Sequence, residues 1–419
     1  MRILLATWGS HGDVNPYLGL AVALKARGHQ PVLATLPAAR LAVEAAGIEF
    51  RPAGPLADPD DRELVRRVMD PRKGGEYLLD QVLFPAVPRW YEELDAAAEG
   101  VDAIVSHTVT YPAPLVAERR GLPWLSGILS PVSFFSVHDF PVFPHAAGRG
   151  PLSRTPWVNR LLLRLVHRMA ARWQQPVHDL RARLGLPPAP GAPLFEGQFS
   201  PHGTLAMYPG ALGAPQPDWP PHVTRTGAVF HDAPNGAERL PPALEAYLAA
   251  GPPPVVFTLG TSAVAAPGAF YRESLEAVLR LGVRAVLLIG RFPDNRPAGR
   301  LPESVFVADS VRHSLLFPRA AVVVHQGGAG TVAQALRAGR PQLVVPHAHD
   351  QPDHAWRLTR LGVAEMLAPR RYTASRVAEQ LGRLLTEPGY ERRAAAIATE
   401  VQAERGAAAA CEALEALGR

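Results

Sequence analysis

The chain has 419 residues, 47% hydrophobic and 19% charged, with a formal charge of +5 and one cysteine, Cys411. That length exceeds one ordinary core and predicts two domains with a cleft between them, and no apolar run approaches the ~20 residues a membrane-spanning helix needs. A lone cysteine excludes an internal disulfide or a cysteine-rich metal site, and the positive charge is almost wholly arginine, since Lys25 and Lys73 are the only lysines. The arginines are scattered along alanine- and leucine-rich segments rather than gathered between aromatics, which argues against nucleic acid as a partner.

In chain order, MRILLATWGS opens on a strand over residues 3–7 and runs straight into a glycine turn, WGSHGDVNP. Its apolar run is too short for a secretory leader, so the start reads as mature structure, and the single cysteine fits a reducing cytoplasm. Buried strands over 31–35, 102–106 and 123–126 alternate with helices over 16–27, 38–46, 75–98 and 113–120, the pattern of a parallel sheet covered on both faces. Residues 130–143, SPVSFFSVHDFPVF, place Phe134, Phe135, Phe140 and Phe143 in one proline-bounded loop that can line an apolar pocket or tuck into the core. Residues 154–183 alternate arginines with Leu161, Leu165 and Met169; packing of the apolar stripe against the first domain is the ordinary outcome, and contact with an anionic membrane surface the other. Proline-rich sequence follows from Pro209 to 254, broken by a short helix near 244–248, before the alternation restarts with strands over 255–259, 285–289, 305–307, 321–325 and 342–345. The expected architecture is α/β: two doubly wound domains, 1–215 and 216–388, with 389–419 a helical end packing back toward the first domain.

The chemistry concentrates in VVVHQGGAGTVAQAL. A strand leads into Gly327, Gly328 and Gly330, then a helix whose first turn carries Thr331, and unpaired N–H groups at a helix N-terminus favour a phosphate or pyrophosphate. His325 is positioned to donate to a phosphate oxygen. A dinucleotide fingerprint is a rival reading, because residues 328–333 loosely fit G-x-G-x-x-A with Asp350 downstream, but PHAHD separates that acid from its strand. In PHAHDQPDH, His347, His349, Asp350, Asp353 and His354 match metal ligands by count alone, since Pro346 and Pro352 break any aligning helix; a polar loop for sugar hydroxyls fits better.

Residues 319–364 resemble the donor signature of family 1 nucleotide-sugar glycosyltransferases, especially bacterial natural-product and glycolipid enzymes of the rhamnosyltransferase type. WGSHGDVNPYLGLAVALKARGH resembles their N-terminal signature and VVFTLGTSA the first strand of their donor domain. The resemblance spans the chain. It implies a GT-B fold, two facing Rossmann-like domains, with acceptor held by the first and nucleotide-sugar by the second. It places His325 at the α-phosphate, Gly328, Ala329, Gly330 and Thr331 around the diphosphate, Asp350 and Gln351 at donor-sugar hydroxyls, and Thr261 and Ser262 on the phosphate side or lining the cleft. The base-binding stretch departs from the family pattern, reading DSVRHSLL with His313, and Ala333 replaces the ribose-binding glutamate of plant members. UDP and dTDP therefore both stay open, as does the sugar, since His354 stands where bacterial relatives often have asparagine.

The implied reaction is inverting, metal-independent and cofactor-free: a hexose or deoxyhexose moves from a nucleoside-diphosphate sugar to a hydroxyl of a small hydrophobic acceptor. Asp13 matches the family position of the catalytic base, His11 competes with it, and His107 is the best match for the base's partner, an inverted dyad. Two alternatives stand beside it, a nucleotide-sugar epimerase of the same fold and a non-catalytic sugar-nucleotide-binding protein. The second would have lost its base, against which Asp13 argues.

Overall fold

The computed structural model describes residues 1–56, 58, 61–144, 150–189, 191–232 and 239–418. Two parallel sheets organise the chain. The first contains β1 (Arg2–Ala6), β2 (Gln30–Thr35), β3 (Glu49–Pro52), β4 (Ala103–His107), β5 (Trp124–Ile128), β6 (Thr204–Ala206) and β7 (Val223–Arg225), in the order β3-β2-β1-β4-β5-β6-β7. The second contains β8 (Val255–Thr258), β9 (Ala285–Leu288), β10 (Val305–Ala308), β11 (Val322–His325), β12 (Gln342–Val344) and β13 (Ala364–Met366), in the order β10-β9-β8-β11-β12-β13. In each sheet the winding reverses beside the first strand, at β1/β4 and β8/β11. Open α/β sheets bind ligands outside the carboxyl ends of strands at such switch points.

The first sheet continues past residue 215, because β7 pairs with β6 from within the proline-rich stretch. Four short strands were not read from the sequence: β3, β6, β7 and β13 have only three or four residues each, too few to establish a period. The first helix, α1 (His11–Ala26), begins five residues earlier than the expected Pro16. Ser10 and Asp13 form a capping box there, with the Ser10 hydroxyl accepting from Gly12 N and the Asp13 carboxylate accepting from Ser10 N. This device satisfies N–H groups at the helix start and fixes where α1 begins, with Pro16 inside its second turn.

The two domains share a hydrophobic cluster in which Ile128, Phe134 and Leu212 meet Val332, Leu336, Leu358 and Ile397. The final helix places Ala410, Cys411 and Leu414 among Ile3, Leu5 and Leu18 of the first domain, and Arg27 donates twice to Glu415 at 2.7 Å.

The helix α2 (Pro156–Ala170) only partly follows the expectation that its apolar stripe is covered. Leu163 is buried against Val137 and Phe140, while Trp157, Leu161, Leu165 and Met169, at every fourth position, are 53–64% exposed.

Candidate active site

The sequence-derived candidates collect at the two switch points. The α1 N-terminus follows β1, His107 ends β4, Thr261 and Ser262 follow β8, and His325 ends β11. The helix α3 (Ala329–Arg337) has Gly328 as its N-cap with no side-chain cap bond, so the first-turn N–H groups of Ala329, Gly330 and Thr331 have no intrahelical partners. The first turn of α1 lies directly opposite: a Cβ on Gly330 would stand 3.2 Å from Gly12 Cα. Two positive helix ends thus focus on one region, an arrangement suited to a polyanion.

His325 does not face that region. It is fully buried; its Nδ1 accepts from Gly327 N at 3.0 Å, which leaves Nε2–H to donate to Gln342 Oε1 at 2.9 Å. Burial holds its pKa down to about 4, so the ring is neutral. The expected phosphate contact is therefore corrected: the only N–H of His325 is spent inside the protein, and the ring braces the turn from behind. Gln326, not singled out from sequence, is 6% exposed with Oε1 unpartnered among the described residues. Its amide Nε2 occupies the space that a Cβ on Gly260 or Gly328 would need, at 2.3 and 2.8 Å, so it joins the two glycine turns of the donor domain. The signal was available: a polar side chain between a buried strand and a glycine turn must be aimed at something.

His313 stacks on Phe317 with centroids 4.3 Å apart, and burial pushes its pKa down to about 4. Gln351 turns its carbonyl oxygen to His347 N and Ala348 N at 2.8 and 3.2 Å, shaping the loop ahead of α4 (Gln351–Arg360). Of the five potential metal ligands of that loop only Asp350 and His354 stay together, 3.6 Å apart, and the partners of the others draw them away. His347 bonds Val345 O, His349 the backbone of Val68, Asp353 the Arg357 guanidinium, and His354 both Ser130 and Gly327. His354 is fully buried and so is not a sugar-facing residue. His349 has φ +57, a strained conformation for a non-glycine residue, and reaches across to the first domain.

Asp13 is the electrostatic centre of the site. Its Oδ2 accepts from Ser10 N at 2.7 Å and Ser10 Oγ at 3.0 Å, leaving Oδ1 without a hydrogen bond among the described residues. Its charge is felt by Tyr17 and His107 in its own domain and by His349 and Asp350 in the other. Burial pushes the Asp350 carboxyl up to about 6, with the neighbouring His354 opposing the rise and the Asp13 charge adding to it. His11 opens toward solvent but sits in the concave space between domains. That crowding, followed by the Arg291 guanidinium, lowers its pKa and keeps it neutral. Arg291 follows β9 and was not assignable from sequence, because nothing local distinguishes it from the other arginines. His107 makes no direct bond to the Asp13 carboxylate among the described residues. Its Nδ1 lies 3.4 Å from the Thr7 hydroxyl, which donates to the Asp13 backbone carbonyl at 3.1 Å, so the expected dyad is indirect.

A cavity of about 720 Å³ opens beside His107 and runs between helix Ala113–Arg120 and residues 187–189 and 193–202, lined by Thr110, Tyr111, Leu115, Val177 and Phe199. None of the four loop phenylalanines is among its lining residues. Phe134 stacks on Trp219 at 4.0 Å, Phe135 meets Phe195 edge-on, and Phe140 packs with Phe143 over Leu163. The loop's aromatics pack against one another and their neighbours, which is the tucked-in alternative, and none of them lines this cavity.

Family models match at both ends: the glycosyltransferase family 28 N-terminal domain over residues 3–73 and the erythromycin biosynthesis protein CIII-like C-terminal domain over 275–417. The chain is similar to O-mycaminosyltylonolide 6-deoxyallosyltransferase of Streptomyces fradiae, 37% identical over 99% of this chain and 97% of that one. It is also similar to vancomycin aglycone glucosyltransferase of Amycolatopsis orientalis, 31% identical over 100% and 98%. Among solved structures, the kitacinnamycin glycotransferase superposes with a TM-score of 0.74 at 23% identity, covering 99% of this chain and 98% of that one. Spinosyn rhamnosyltransferase SpnG, complexed with thymidine diphosphate, gives 0.70 at 20% identity, covering 99% and 100%.

Proposed function

The chain belongs to the natural-product glycosyltransferases of GT-B fold, and we propose that it moves a hexose or deoxyhexose from a nucleoside diphosphate to a hydroxyl of a small hydrophobic acceptor, with inversion. The observation that carries this is the placement of Asp13, whose charge reaches groups of both domains at the point where two helix N-termini converge. The relative named for 6-deoxyallose transfer and the neighbour described with thymidine diphosphate favour a dTDP-deoxyhexose over a UDP-hexose. Neither the epimerase nor the non-catalytic reading gains a supporting observation.

In the proposed reaction the acceptor hydroxyl enters from the cavity beside His107 and gives its proton to Asp13 Oδ1. Its oxygen forms a bond to the sugar anomeric carbon as the bond from that carbon to the diphosphate breaks, and the diphosphate leaves with the electron pair. The N–H groups of Ala329, Gly330 and Thr331 meet the charge developing there, a contribution larger in the transition state than in the ground state. Asp350 and the Gln351 amide hold sugar hydroxyls, and Thr261, Ser262 and Gln326 border the phosphates. A donor screen by mass spectrometry tests this reading: nucleoside diphosphate should be released from dTDP- or UDP-sugars only when a phenolic, macrolide or lipid hydroxyl is added. Conversion of the donor sugar without acceptor would establish the epimerase instead.

We also propose that α2 touches an anionic membrane surface. Arg154, Arg160, Arg164 and Arg168 make no ion pair among the described residues and flank the exposed stripe Trp157, Leu161, Leu165 and Met169, the layout of an interfacial helix. No helix among the described residues is long and apolar enough to cross a membrane. Co-sedimentation with phosphatidylglycerol vesicles at low salt should be lost in Leu161→Glu/Leu165→Glu; no sedimentation of the unaltered protein overturns the contact.

A further inference from the structure

The helix α4 carries donor-side residues in its first turn and a different set of contacts one turn later. His354, with no exposed surface, places Nδ1 2.8 Å from Gly327 O and Nε2 2.9 Å from Ser130 Oγ. A carbonyl only accepts, so Nδ1 bears a proton and donates to Gly327 O, with Asp350 Oδ2 3.6 Å away, while Nε2 pairs with the Ser130 hydroxyl. Gly327 N–H in turn donates to His325, and His325 to Gln342. The result is an unbroken chain, Ser130 to His354 to Gly327 to His325 to Gln342, running from the first domain through the glycine turn to β12.

A second set of bonds runs parallel. Arg357 donates to Asp353 and to Asp139, each at 2.5 Å, and to Leu212 O at 3.0 Å, while Asp353 Oδ1 accepts from Val142 N at 3.0 Å. Arg357 and Asp353 are 5% and 0% exposed. Removing either partner would leave a buried charge unpaired, so the attachment is held firmly. The loop 130–142 of the first domain is therefore fastened to the donor domain at Ser130, Asp139 and Val142, and the same helix opens with Asp350 and Gln351.

We infer that His354 is a positioning residue that makes the loop 130–142 and the glycine turn one mechanical unit, so that the acceptor-domain side of the cleft and the nucleotide side bind their ligands cooperatively. The inference rests on the reading of the turn as a diphosphate site only for what is bound, not for the coupling itself. Buried hydrogen-bond chains of this kind set geometry jointly, and loss of one member loosens the rest.

Ser130→Ala removes the far end of the chain without touching the turn and leaves a small, fold-compatible side chain. Hydrogen exchange, read without ligand, should show faster exchange for the peptide covering 322–336 in Ser130→Ala and in His354→Leu, with part of the protection recovered in His354→Gln, whose amide can both donate and accept. Titration with dTDP and UDP should show affinity reduced about 3- to 10-fold in Ser130→Ala, the worth of roughly one hydrogen bond, although Ser130 belongs to the other domain. Unchanged exchange over 322–336 in a folded Ser130→Ala protein overturns the coupling. If the unaltered protein binds neither nucleotide, the diphosphate reading fails, and the exchange result still decides the coupling.

Discussion

Gly12, in the first turn of α1, and Gly330, in the first turn of α3, touch across the interdomain cleft: a Cβ on residue 330 would lie 3.2 Å from Gly12 Cα. Backbone cannot swing aside as a side-chain tip can, so Gly330→Ala must part the two turns by a few tenths of an ångström. Alanine is the better helix former by about 1 kcal/mol, so thermal stability should hold while turnover falls at least about tenfold, the scale set by small misplacement of reacting groups. Steady-state kinetics beside a thermal melt checks this, and normal kcat would mean that the contact is not kept during turnover.

Asp13 combines capping with the proposed base role. Asp13→Asn keeps an oxygen that can accept from Ser10 but loses basicity, so kcat should fall at least ~100-fold while nucleoside-diphosphate affinity persists. His11→Ala should do less. Near-normal turnover in Asp13→Asn together with loss in His11→Ala would transfer the base to His11, whose lowered pKa already keeps it unprotonated at neutral pH.

Asp350 predicts a pH dependence of known sign. Its carboxyl, raised to about 6 mainly by burial, holds its proton in the folded protein below that pH, whereas in the unfolded chain it ionises near the ordinary aspartate value, about 4. Between these values the folded state binds more protons, so the cost of an ionised Asp350 is absent below about pH 4, grows up to pH 6 and is complete above it. Asp350→Asn should therefore raise the melting temperature at pH 8 and leave it nearly unchanged at pH 4. Sugar hydroxyls donate to the ionised form, so sugar-nucleotide affinity should weaken as pH falls through 6, with proton release on binding visible as buffer-dependent calorimetric heats. Bare nucleoside diphosphate should lack this step in affinity, and its presence there would move Asp350 away from the sugar.

His325 and Gln342 brace the turn from inside. His325→Ala leaves the buried Gly327 N–H and the Gln342 carbonyl without their partners, costing about 1–3 kcal/mol of stability. Nucleoside-diphosphate affinity should fall with it, because the turn's donors lose their fixed direction. Urea unfolding and calorimetry read the two effects, and a loss of affinity with full stability would restore His325 to direct phosphate contact.

The sequence by itself determined the strand-helix alternation, the two glycine turns and the set of residues placed at them, because periodicity and glycine's freedom at strand-to-helix turns act locally. It also held the Ser10–Asp13 capping pattern that starts α1 early. Tertiary structure decided the rest. Strands of three or four residues such as β6, β7 and β13 exist because a neighbouring strand completes their hydrogen bonds, not because their own residues announce them. Whether His325 faces a ligand depended on Gln342 and Gly327 claiming its two nitrogens, and whether Phe134 lines a pocket depended on Trp219 arriving to stack on it. The nearness of Asp13 to Asp350, and of Ser130 to His354, joins residues hundreds of positions apart in the chain. Such pairings are set by how two sheets pack their helices together, and no local pattern in the chain encodes them.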